Sequence, residues 1–170
     1  MMIDFEFRKA VMDFHIGSEG IKYCYQCNKC TDSCPVAAVA NPFYQNIFDP
    51  RQIVLGTLLG YKGLVMSLVS KNSIIPWGCT VCDTCDTVCP QGIEVTEIIT
   101  LAKNIAAGAG LGPENIYAQA QAVFDSAKAI PSQPAIEKRR EQLGLPPVAA
   151  PDVSEVQTLL KNIGADKKLQ

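Results

Sequence analysis

Thiols dominate the chemistry this sequence can do. All eight cysteines fall in two twelve-residue runs, CYQCNKCTDSCP at 24–35 and CTVCDTCDTVCP at 79–90. Both runs read C-x2-C-x2-C-x3-C-P. Closely spaced thiols make disulfides, bind zinc, or hold iron in a sulfide cluster. An even number of cysteines permits a disulfide framework. The clustering into two copies, and the lack of a secretory signal in MMIDFEFRKAVMDF, argue against one. Structural zinc sites pair one C-x2–4-C with a second pair some distance away. Zinc stays open to these thiols, yet it does not account for the x2-x2-x3-P rhythm.

Iron–sulfur chemistry does account for it, because this is the run of bacterial two-cluster proteins. A 4Fe-4S cubane offers four iron corners, each wanting one thiolate. Three cysteines spaced by two residues wrap one face of the cube. The fourth, three residues further on, points away and is better placed to reach a second cube. The spacing therefore assigns Cys24, Cys27, Cys30 and Cys89 to one cluster, and Cys79, Cys82, Cys85 and Cys34 to the other. Two 4Fe-4S clusters are the expected cofactors. The crossing staples residues 24–34 to residues 79–89, and binding energy becomes folding energy. Pro35 and Pro90 redirect the chain just after each crossing ligand. With every iron fully ligated, the expected role is electron relay, and no catalytic residue is expected on this chain.

Composition narrows the class. The chain has 170 residues, 48% hydrophobic and 7% aromatic, with a formal net charge of −2. That suits one domain of ordinary size with an appendage and a largely aliphatic core. No basic stripe for nucleic acid is present. The longest apolar run, IVLGTLLGYKGLVMSLV at 53–69, carries Lys62 and three glycines. It is shorter than the roughly 20 apolar residues of a membrane span, so one or two buried helices are expected. The expected location is the cytoplasm, without membrane insertion.

The elements that must hold the thiols read as helices. Asp49-Pro50-Arg51-Gln52 is a helix start, with Asp49 as cap, Pro50 in the first turn and Gln52 able to complete a capping box. Gly60 and Gly63 are expected to split this segment in two. Val95, Ile98, Ile99, Ala102, Ile105 and Ala106 keep helical spacing after the second run. Gly108, Gly110 and Gly112 mark a loop. Pro113 then opens a helix whose stripe, Ile116, Tyr117, Ala120, Val123, Phe124 and Ala127, reads as core, with a partner face as the alternative. Pro131 and Pro134 end it. IEKRREQLG reads as a short solvated helix and LPPVAAPD as an extended linker. Asp152 to Glu155 form a capping-box pattern before a last helix with Val153, Val156, Leu160 and Ile163 on one face, closed by Gly164. That helix either packs back or docks on a partner. At the N-terminus, Ile3, Phe5 and Phe7 alternate like a strand, while Phe7, Val11 and Phe14 fit a helix.

Single residues have ordinary readings first. His15 is the only histidine, and with both cysteine sets complete a structural or surface role is expected. Trp77 either covers the second cluster from water or serves as a core aromatic. Lys29 is a solvated lysine unless it offsets cluster charge. No hydrolase triad, phosphate loop or dinucleotide fingerprint occurs.

Two such runs separated by a helical insert, with NPF at 41–43 and IIPWGCTVCDTCDTVCPQGIEV at 74–95, resemble the α-helical ferredoxins. That family includes the C-terminal domain of the iron–sulfur subunit of succinate dehydrogenase and fumarate reductase. It also includes the C subunit of anaerobic glycerol-3-phosphate dehydrogenase and the C subunit of the soluble heterodisulfide reductase of methanogenic archaea. The resemblance is chiefly to the last and covers roughly residues 20–108. Only 23 residues precede Cys24, too few for the N-terminal 2Fe-2S domain of succinate dehydrogenase. Both runs are intact, and no CCG motif of the disulfide-reducing subunit is present.

The resemblance implies a mainly α fold, an α-helical ferredoxin with two crossed cluster loops and helical N- and C-terminal extensions. It divides the chain into a docking segment at 1–20, the ferredoxin domain at 21–108 and a helical extension at 109–170. It implies an electron-transfer subunit of an oxidoreductase complex. Electrons would come from the flavin- and iron–sulfur-containing subunit of heterodisulfide reductase, fed by a hydrogenase or formate dehydrogenase. They would pass to the CCG-motif subunit, which reduces the coenzyme M–coenzyme B heterodisulfide. The alternatives are a quinone-linked subunit like that of glycerol-3-phosphate dehydrogenase, or a free ferredoxin.

Overall fold

The computed structural model describes residues 3–13, 18–40, 48–66, 75–130, 132–149 and 151–168. His15, the NPF at 41–43, Phe14, residues 67–74 and Pro131 lie outside the described residues. Among the described residues every regular element is helical. The mainly α fold follows from the sequence as expected. The chain divides into two compact units, residues 1–111 and 112–170.

The first unit begins with α1, Phe5–Asp13. Its start is fixed by Asp4, whose Oδ1 accepts the Phe7 N–H at 2.8 Å. That bond holds the Asp4 carboxyl below its usual range, with help from Lys62 at 3.3 Å. Phe7 and Val11, four residues apart, are buried, while Ile3 and Phe5 face solvent. The helical period therefore wins over the strand-like alternation at Ile3, Phe5 and Phe7.

Helix α4 runs Pro50–Leu58. (The short helices α2 and α3 belong to the first cysteine run and are described with it below.) Asp49 has extended backbone and caps α4 by accepting the Gln52 N–H at 3.1 Å, with Pro50 in the first turn. Its inner face is Ile53, Val54 and Thr57, all buried. The segment breaks at Gly60, where φ is +74°. Gly63, expected to break it as well, sits inside α5, Lys62–Val65. At Gly60 the carbonyl accepts the Asp4 N–H at 2.8 Å, and an added Cβ would meet the Asp4 carbonyl oxygen at 2.8 Å. Gly56 lets α4 and α5 approach, since a Cβ there would meet the Val65 side chain at 2.9 Å.

Helix α7, Val95–Gly108, runs through the core. Val95, Ile98, Ile99, Ala102 and Ala106 are buried as the periodicity requires, and α1 and α4 pack on it. The turn that closes the helix has Gly110 at φ +75°, and the Leu111 N–H returns to the Ala106 carbonyl at 3.0 Å. No helix among the described residues is long and apolar enough to cross a membrane. The described part of the 53–69 run lies largely in this core.

The second unit contains α8 (Glu114–Ser126), α9 (Pro134–Gln142) and α10 (Val153–Asn162). Asp152 caps α10 by accepting the Ser154 and Glu155 N–H groups at 2.9 and 3.3 Å. Helix α10 packs on α8. Gln157 Nε2 donates to the Phe124 carbonyl at 3.1 Å, and Lys161 lies 5.8 Å from the Phe124 ring centre. The α8 stripe read as core is not fully buried at any position. One short helix covers it, and a pair of amphipathic helices is too thin to enclose a side chain. Ile163, expected on the packed face of α10, is 77% exposed.

Gly60→Ala tests the joint between α1 and α4. The substitution adds left-handed strain and a backbone clash, which should cost more than about 1 kcal/mol. The expected readout is loss of helical circular dichroism at a lower denaturant concentration than in the parent chain.

Candidate metal centre

The two cysteine runs fold alike. Aligned on their cysteines, Gln26 matches Val81 and Asn28 matches Asp83, and all four have positive φ, between 56° and 68°. Left-handed backbone on both sides of Cys27 and of Cys82 curls each run so that its first three thiols line one cavity. Asn and Asp tolerate this conformation, but β-branched Val81 does not, at a cost of about 1–3 kcal/mol. Strain of that kind persists only where the surroundings impose it. The third cysteine of each run sits in a one-turn helix, Cys30 in α2 (Lys29–Asp32) and Cys85 in α6 (Thr84–Thr87). Helices α2 and α6 pack against each other, which brings the runs together.

Matching ties fix each run to a core helix. Thr31, next after Cys30, accepts the Arg51 N–H in the first turn of α4 at 3.1 Å. Its hydroxyl also donates to the cap residue Asp49 at 2.5 Å. Asp86, next after Cys85, accepts the Thr96 N–H in the first turn of α7 at 2.9 Å. Asp86 thus caps a helix whose own preceding residue, Glu94, makes no side-chain cap bond. The runs part after their prolines. Pro35 opens α3 (Pro35–Ala40) directly, whereas Pro90 enters a turn at Gly92 before α7 begins.

Each cavity draws thiols from both runs. One is lined by Cys24, Cys27, Cys30 and Cys89. The other is lined by Cys34, Cys79, Cys82 and Cys85. Among the described residues neither lining contains a histidine or a carboxylate. Among the described residues no three Cys, His, Asp or Glu side chains converge as they would on one metal ion. The thiols ring a space instead of a point, and an all-thiol ring fits an iron–sulfur cluster. In each set one cysteine, Cys27 or Cys82, reaches the surface.

The surroundings differ. Lys29 and Arg51 line the first cavity, and Arg51 Nε donates to Asn28 Oδ1 at 2.9 Å, bracing the left-handed Asn28. Among the described residues the second cavity has no charged residue in its lining, which includes Thr80, Thr84, Thr96 and Phe48. Its sulfurs have hydrogen-bonding neighbours: the Ala37 N–H on Cys34 at 3.5 Å, the Val81 N–H on Cys79 at 3.4 Å, and the Thr84 and Thr96 hydroxyls beside Cys82 and Cys85 at 3.4 and 3.3 Å. In the first cavity the Ile93 N–H points at Cys89 at 3.3 Å. Lys103 Nζ donates to the Cys79 carbonyl at 2.6 Å, and its pKa is lowered by burial. Trp77 packs half-buried against the core.

Sequence reasoning named the eight thiols but missed Arg51, Thr84, Thr96 and Lys103. Lys103 left a visible signal, since it follows Ile99 by one helical turn on an otherwise apolar face. Thr84 and Thr96 left none, because hydroxyls near a helix start read equally well as caps.

Burial pushes the Cys30 thiol up to about 11 and the Cys85 thiol up to about 12. Hydrogen bonds from Thr84 pull the Cys82 thiol down. Because the thiolate is the nucleophile, alkylation of the metal-free folded chain at neutral pH should modify Cys82 at least about tenfold faster than Cys85. Peptide mass spectrometry over time checks the order, and equal rates would contradict the geometry.

Comparison with known proteins agrees with the thiol geometry. The profile of the 4Fe-4S dicluster domain family matches residues 20–93. The chain is 33% identical to the C2 subunit of the H(2)/formate:CoB-CoM heterodisulfide,ferredoxin reductase of Methanococcus maripaludis, over 86% of this chain and 77% of that protein. It is 34% identical to the C 2 iron–sulfur subunit of the CoB--CoM heterodisulfide reductase of Methanocaldococcus jannaschii, over 88% and 77%. It is 30% identical to the C subunit of the ferredoxin/F(420)H(2)-dependent CoB-CoM heterodisulfide reductase of Methanosarcina acetivorans, over 85% and 86%. Eight thiols in two mixed cavities on a helical frame, matched over most of both chains, place this chain in the family of heterodisulfide reductase C subunits, iron–sulfur subunits of an oxidoreductase.

Proposed function

We propose that this chain holds two 4Fe-4S clusters and is the electron relay of a cytoplasmic heterodisulfide reductase complex. It stands between a flavin-containing subunit and a CCG-motif subunit, where two electrons and two protons convert the coenzyme M–coenzyme B heterodisulfide into two thiols. A hydrogenase or formate dehydrogenase supplies the electrons, in keeping with the donor named for the Methanococcus relative. Cys24, Cys27, Cys30 and Cys89 hold one cluster, and Cys34, Cys79, Cys82 and Cys85 the other. The observation that carries this reading is the sharing of each cavity by both runs.

Bound there, a 4Fe-4S cluster takes up and releases one electron at a time without making or breaking a covalent bond. The chain's own residues supply the rest. The thiols fix position. Val54, Ile93 and Val95 at one cavity, and Phe48 and Ile99 at the other, exclude water from the inner sides. Lys29 and Arg51 offset negative charge at the first cavity. Cys27 and Cys82 bring each site to the surface, where a partner's redox centre can come within reach. The extension at 109–170 serves docking in this proposal. Ile130, Leu143, Leu145 and Val148 are exposed there, and α8 to α10 contain no buried residue.

Anaerobic affinity purification of the chain from its own host tests the proposal. A flavoprotein and a CCG-motif subunit should come with it. A quinone-linked membrane subunit would move the chain toward the glycerol-3-phosphate dehydrogenase relatives, and a lone brown monomer would make it a ferredoxin.

A further inference from the structure

We propose that Thr96 and Asp86 set the reduction potential of the second cluster in opposite directions, both through the sulfur of Cys85. The inference rests on the proposed function only in taking Cys85 as a cluster ligand. It holds whichever cysteine supplies that cluster's fourth thiolate.

Two groups touch this one sulfur. The Thr96 hydroxyl lies 3.3 Å from Cys85 Sγ, and in the metal-free chain the Cys85 thiol donates to Asp86 Oδ1 at 3.4 Å. Cys85 is 8% exposed and Thr96 2% exposed. A ligating cysteine has lost its proton, so its sulfur can only accept. The Thr96 hydroxyl then donates to it. The Asp86 carboxylate sets negative charge against negative sulfur. Asp86 cannot simply swing away, because the Thr96 N–H holds the same Oδ1 at 2.9 Å. One residue therefore supplies the donor and also fixes the opposing charge.

Adding an electron increases the negative charge on the cluster and its sulfurs. A donor to sulfur stabilises the reduced form more than the oxidised form and raises the potential. A neighbouring carboxylate does the reverse. Both effects are strengthened where water is excluded. The aligned position in the first run holds Thr31 in place of Asp86, and its hydroxyl is engaged by Asp49. The carboxylate beside Cys85 is thus a particular feature of the second run.

The test is potentiometry followed by electron paramagnetic resonance on the full-length chain, purified without air, after iron and sulfide have been measured in each sample. Thr96→Val should shift one of the two midpoint potentials down. Asp86→Asn keeps the oxygen that accepts the Thr96 N–H, removes the charge, and should shift the same midpoint up. Thr96→Ser keeps the hydroxyl and should stay near the parent value. Unmoved potentials in fully loaded variants, or shifts of the same sign, would overturn the inference. If Thr96→Val fails to retain iron, Asp86→Asn decides, and an unmoved or lowered potential there overturns it. A parent chain without iron and sulfide would instead overturn the cluster reading beneath it.

Discussion

The register between the two cysteine runs is the constraint on which the first unit depends. Each cavity takes three thiols from one run and the fourth from the other, so neither is complete unless residues 24–34 and 79–89 stay side by side. Helices α2 and α6 meet at the centre of that contact. The Thr31 and Asp86 ties then anchor each run to the first turn of a core helix. Helices α4 and α7 pack together, and α1 closes over both. Packing of Ile53, Val54, Ile98 and Ile99 thereby fixes where thiols 45 or more residues apart in sequence come to lie.

This arrangement joins folding to metal chemistry. Four left-handed residues flank Cys27 and Cys82, and Val81 is there against its own preference. Burial holds the Cys30 and Cys85 thiols protonated when no metal is present. Both features disfavour the loops by themselves. Binding of a cluster offsets them, because ligand formation contributes directly to stability in small metal-dependent domains. The second unit is different in kind. Asp152 caps α10, yet α8, α9 and α10 bury no residue fully.

Legibility in the sequence followed the range of the interactions. Asp49 was readable as a cap, and the α7 stripe as a buried face, because each depends on residues within a few positions of one another. The cysteine runs were readable because their spacing is itself the chemistry. The N-terminal strand–helix ambiguity was settled by Asp4, a cap that also meets Lys62 and Gly60 from α1's side of the core. The partnership of Asp86 with Thr96 links residues 10 positions apart and leaves no local pattern, and the apolar face around Lys103 does not name its partner, the Cys79 carbonyl 24 positions away. The α8 stripe misled because periodicity reports which face is covered, not how deeply.

The central claim is that the fourth thiolate of each cluster comes from the other run. Single Cys→Ser variants at 27, 34, 82 and 89, each examined by electron paramagnetic resonance of the reduced chain, test it most directly. The account predicts that C34S and C82S disturb the same one of two cluster signals, while C27S and C89S disturb the other. Pairing of C34S with C27S, and of C89S with C82S, would contradict it.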